Sequence, residues 1–142
     1  MPTDDAPIHH DIERCLAIGE KLAANFIRIV LAHKWIDRGE GDKASALLEK
    51  HLAEVHATGY NVLIGEVRSL LAELHLAKGE LALAQRHADE SIAQVGQLPS
   101  SSYLASAYNV RYQIALRQGD ADAALAFYRR YAEADKAHLN DV

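Results

Sequence analysis

The feature that most constrains this chain is a period of forty residues. Gly39, Gly79 and Gly119 are forty apart, each is followed by an acid (Glu40, Glu80, Asp120), and five residues beyond each glycine stands Ala44, Ala84 or Ala124. Laying residues 20–59 over 60–99 without a gap also matches Arg28 with Arg68, Leu31 with Leu71, Ala32 with Ala72, Ala53 with Ala93 and Val55 with Val95. Gly19 and Gly59 keep the period, and Pro99 takes the corresponding place in the next unit. Such a period marks a supersecondary unit that cannot bury its apolar face alone and stacks on its neighbours.

Each unit reads as helix, tight turn, helix. Residues 63–78 set Leu63, Val67, Leu70, Leu71 and Leu74 at steps of three and four, the spacing of one helical face. Gly79 then suits a left-handed position at the helix end. Residues 81–95 start again with Leu81, Ala84, Ala88, Ile92 and Val95. The same scheme predicts helices over 23–38, 43–57, 103–118 and 121–138, with Asp42 and Asp120 as N-caps. Residues 8–18, carrying Ile8, Ile12, Cys15 and Leu16, read as a second helix without its first. The expected organisation is an N-terminal tail over 1–7 and one repeat domain over 8–142, comprising that helix and hairpins at 20–59, 60–99 and 100–139. Ala32 and Ala72 face the Ala44, Ala84, Ala124 series, so paired helices can approach to the short end of the ~8–10 Å range. With 25 Ala and 18 Leu against nine aromatics, the composition also favours helix over sheet. Stacked hairpins give an all-α, right-handed superhelical solenoid.

The small residue in the first helix, the Gly-acid turn and the Ala of the second helix resemble the tetratricopeptide repeat over residues 8–138. The aromatic that this family carries near the start of its first helix is Arg28 and Arg68 here and appears only as Tyr108. Tyr112 replaces the small residue of Ala32 and Ala72, so the third hairpin packs differently. The forty-residue units look like the lengthened repeats of bacterial signalling proteins. The segment from Asp120 to Val142 looks like the last repeat before the signalling helix of GGDEF-type diguanylate cyclases, which implies an N-terminal sensory region. No GGDEF or GGEEF string occurs, so no cyclase residue carries over. The repeats of histidine kinases and of large transcriptional activators look nearly the same.

Charge and spacing exclude much else. Fifteen Lys and Arg against twenty Asp and Glu leave a net charge of −5, opposite to what nucleic acid or an anionic membrane selects. The longest apolar run, 26–36, is broken by Arg28, His33 and Lys34, too short and too charged to span a bilayer. One cysteine and no basic-flanked apolar leader suggest a reducing, cytoplasmic setting. Cys15 lies on the stripe with Ile8, Ile12 and Leu16, which favours a core thiol over a reactive one. Of the eight histidines (His9, His10, His33, His51, His56, His75, His87, His138), no two share a His-x-x-x-His spacing. The reading is no metal, no cofactor and no catalytic residues: the glycines are accounted for by helix ends, and no acid, base and nucleophile set is recognisable.

The expected function is a non-catalytic interaction or sensory module that takes a peptide or protein in the groove lined by the first helices; the alternative is a self-association scaffold that dimerises whatever it is attached to. The resemblance places that groove at Phe26, Ile29 and His33, at Glu66, Ser69 and Glu73, and at Ser106, Asn109 and Gln113. The family's two-lysine clamp for a C-terminal carboxylate is absent from these positions. Tyr108, Tyr112, Phe127, Tyr128 and Tyr131 crowd the last unit and suggest either an aromatic core or a docking surface for a following helix or a second protomer of a homodimer.

Overall fold

The computed structural model describes residues 5–17, 20–97 and 102–140, with the backbone alone for 15–17 and 140. Gly19, Pro99 and the side chains of Cys15 and Leu16 lie outside the described residues. These residues form eight helices and no strand: α1 (Ala6–Ala17), α2 (Lys21–Asp37), α3 (Gly41–Lys50), α4 (Leu52–Ala57), α5 (Asn61–Ala77), α6 (Leu81–Val95), α7 (Ser102–Arg117) and α8 (Ala121–Asn140). The architecture is an all-helical repeat of antiparallel hairpins. The chain divides into two compact units, residues 1–63 and 64–142, with the division in the first turn of α5.

The period has one backbone cause. At each repeat the glycine is left-handed, with φ of 76° at Gly39, 77° at Gly79 and 72° at Gly119. The glycine N–H bonds the carbonyl three residues back and the acid's N–H the carbonyl five back: Gly39 to Ile36 (3.0 Å) and Glu40 to Trp35 (2.7 Å), Gly79 to Leu76 (3.0 Å) and Glu80 to His75 (3.0 Å), Gly119 to Leu116 (3.2 Å) and Asp120 to Ala115 (3.0 Å). This is the Schellman arrangement, which satisfies the orphan carbonyls of the first helix. The acid then serves as N-cap of the next helix. Asp120 is short enough to finish the cap, its Oδ1 accepting the Ala123 N–H at 3.1 Å. Asp42, expected as the N-cap of α3, is instead its second residue, because the turn is shorter than the sequence suggests and Glu40 holds the cap position without a side-chain bond.

In the first unit, α1 begins at Ala6, inside the segment expected as a tail. Asp5 starts it: its carbonyl accepts from Ile8 and His9, and its carboxylate accepts from Trp35 Nε1 (2.9 Å) and from Arg38 Nη2 (3.1 Å) on and just after α2. The helix expected over 43–57 is divided at His51, whose ψ of 7° leaves the helical range. No Gly or Pro marks the break, and apolar periodicity does not register a single residue leaving the helix.

The second unit is packed as the alanine positions imply. Val67, Leu70, Leu71 and Leu74 are all buried there, as is Leu63 at the end of the first unit, and a fully buried leucine contributes about 1.5–3 kcal/mol. Ala72 of α5, Ala84 and Ala88 of α6, and Ala107, Val110 and Ile114 of α7 form one cluster. Gly65 departs from the sequence reading, for it lies inside α5 rather than at a helix end. There Ser91 donates to the Gly65 carbonyl at 2.8 Å, and a Cβ on residue 65 would press into Val95. Val95, Leu104, Ala105 and Ala134 make a second cluster across α6, α7 and α8.

Candidate protein-interaction face

Three bonds place α5 and α7 side by side and parallel. Tyr103 is hydrogen-bonded to Glu66, Ser106 donates its hydroxyl to Glu73 Oε1, and Arg117 Nη1 donates to the Leu76 carbonyl at 3.2 Å. Burial, then the bond and charge of Glu66, push the Tyr103 phenol up to about 12, so it stays a neutral donor. Beyond these bonds α7 presents Asn109 and Gln113, both half-buried and without a hydrogen bond among the described residues. Glu66, Glu73, Ser106, Asn109 and Gln113 therefore line adjacent helices, two carboxylates beside two unbonded carboxamides.

Two of the nine expected groove residues are not available to a ligand. Ser69 is 3% exposed and Ile29 4%. Each sits roughly 50° round its helix from the residues three before and four after it, toward the core side. Phe26, half-buried, meets Tyr60 edge-on at 6.1 Å in the first unit, and His33 is exposed.

The period-matched arginines carry networks that spacing does not reveal. Arg28, nearly fully buried, donates from Nη1 to Asn25 (2.9 Å) and to Glu54 of α4 (2.5 Å), while Asn25 donates to Glu54 (3.0 Å). Burial raises the Glu54 carboxyl, but the bonds from Arg28 and Asn25 outweigh it and hold the group below its ordinary value. Burial and the Arg28 charge lower His51. Arg68 instead reaches His87 Nδ1 of α6 at 2.9 Å, and since a guanidinium only donates, Nδ1 is the acceptor of that bond. His87 stacks on His75 at 5.4 Å between centroids and 9° between planes, and His75 Nδ1 lies 3.4 Å from Glu80. These two histidines come from different helices, so a search along one helical face could not pair them. The Arg28/Arg68 match was the available signal.

The five aromatics of the last hairpin do not form one exposed surface. Tyr108 and Tyr131 pack on the cluster around Val95, Phe127 lies under the Arg111 guanidinium at 4.6 Å, and Tyr112 meets Tyr128 at 5.4 Å. Only Tyr128 is exposed, at 48%. Tyr112, which stands where the earlier hairpins have a fully buried alanine, is half-buried against Tyr128.

Residues 65–90 and 113–130 match a family model of the tetratricopeptide repeat. Each segment spans a Gly-acid turn, Gly79-Glu80 and Gly119-Asp120, and together they are less than half of the chain. No curated protein and no solved structure matches it. Tetratricopeptide repeats generally mediate protein–protein interaction and are generally non-catalytic. No helix among the described residues is long and apolar enough to cross a membrane.

Proposed function

We propose that this chain is a protein-interaction module whose second unit takes a peptide segment along α5 and α7. The observation that carries this reading is the row of Asn109 and Gln113, unbonded carboxamides one turn apart, beside Glu66 and Glu73. A carboxamide offers a donor and an acceptor, which suits peptide backbone, and the two carboxylates favour a ligand bearing Lys or Arg. Phe26 and His33 on α2 are proposed as further contacts belonging to the first unit. Selection from a displayed random-peptide library should enrich basic sequences. The affinity of the selected peptide should drop at least about tenfold in the double variant Asn109→Ala/Gln113→Ala. Acidic or purely apolar winners, or indifference to that variant, would refute the proposal.

The finer reading is a sensory region of a bacterial signalling protein, in the cytoplasm, ahead of a diguanylate cyclase output domain. It is supported by the resemblance of residues 120–142 alone. The coding sequence downstream of Val142 tests it: a GGDEF segment supports it, and a kinase segment, a DNA-binding segment or a stop codon overturns it.

A further inference from the structure

The second unit leaves an apolar strip of α8 largely exposed, touched within the unit where Tyr128 meets Tyr112 and Tyr131. Helix α8 packs through Ala124 and Ala134, both 5% exposed, and on the strip beside that side exposes Leu125 at 51%, Tyr128 at 48% and Leu139 at 62%. Ala121 and Ala132 are exposed in the same row, and the succession 121, 125, 128, 132 has the alternating four and three steps of a coiled-coil seam. Along one edge of that seam stand Asp122 and Arg129, seven residues apart and both exposed. Neither is engaged by an ion pair or hydrogen bond among the described residues.

We propose that this face binds a second copy of the chain, α8 against α8, antiparallel about a two-fold axis lying between Ala126 and Phe127 in register. A two-fold axis of this kind puts the same edge of both helices on the same side. Asp122 of each copy then faces Arg129 of the other, twice over. In the same register Leu125 packs on Tyr128 of the second copy and Ala121 on Ala132, so small residues meet at the ends and large ones at the centre. A parallel pairing faces that edge with Ala124 and Tyr131, which carry no charge. The complementary charges select the antiparallel form and a like chain as occupant. The overlap is about three turns, well short of a standard interface, so the dimer is weak and reversible.

Sedimentation equilibrium on the full chain, from micromolar to sub-millimolar concentration, tests this. The expected result is a reversible monomer–dimer equilibrium weakened at least about tenfold by Leu125→Glu, Asp122→Arg or Arg129→Asp. Reversing both charges in one chain should restore it, and mixing the two single charge variants should give a heterodimer. All three positions are on the surface, and unchanged helical circular dichroism checks that each variant folds. A strict monomer, a dimer indifferent to these substitutions, or a double reversal that fails to recover overturns the proposal. None of these outcomes touches α5 and α7, so peptide binding there is judged separately.

Discussion

Gly65 and Glu54 show how much rests on single residues within otherwise regular helices. Gly65 lets α6 approach close enough for the Ser91 hydroxyl to reach a backbone carbonyl. Gly65→Ala gains up to ~1 kcal/mol of helix propensity but overpacks against Val95 by ~1–3 kcal/mol. The expected outcome is a net loss of about 1 kcal/mol, a fall of roughly 4 °C in the melting temperature. Glu54 is the partner of a buried guanidinium, so Glu54→Ala should destabilise the first unit by ~3 kcal/mol, read by urea unfolding. Its carboxyl is held below the ordinary value of 4.5, so the stability it gives is full above that pH and is lost as the pH falls through the lower folded value. Thermal melts stepped down from pH 5 should show this loss, and Glu54→Gln should flatten the slope. Neither residue was legible from periodicity, since Gly65 matches no turn and Glu54 aligns with Gln94, an uncharged residue. The long-range contacts that give them meaning exist only after folding.

At the scale of elements, the hairpins were legible because the Schellman turn needs glycine at one position and sets the start of the next helix two residues later. That turn is local chemistry, and local chemistry survives in sequence. The Ala series was legible for a related reason: close helix approach admits only a small side chain. Ala84, fully buried between α5 and α7 partners, should tolerate no enlargement. Ala84→Leu is expected to cost ~1–3 kcal/mol, and an unchanged melting temperature would show that the site has room. The break at His51 and the start of α1 at Ala6 were not legible. The first coincides with the pairing of α4's Glu54 to Arg28, and the second with the capture of Asp5 by Trp35 and Arg38, both tertiary events.

Across the whole molecule, a repeated local device coexists with two units of distinct interior. The first unit ties α2 to α4 through a buried Arg–Asn–Glu network, and the second is closed by alanines, a stacked histidine pair and the Tyr112–Tyr128 contact. The repeat explains the shared skeleton, while Tyr112 in the place of Ala32 and Ala72, and the different partners of the matched Arg28 and Arg68, mark where the interiors diverge. The proposed site divides along similar lines. The resemblance to the tetratricopeptide repeat pointed to Glu66, Glu73, Ser106, Asn109 and Gln113 together with Ser69 and Ile29, and it could not tell that the last two turn inward. The central claim is that α5 and α7 together bind a basic peptide, and a two-dimensional amide NMR titration with the selected peptide tests it most directly. Shifts concentrated at Glu66, Glu73, Ser106, Asn109 and Gln113, with side-chain amide signals of Asn109 and Gln113 moving in step, are the expected result; shifts confined to other helices, or none at saturating peptide, would contradict it.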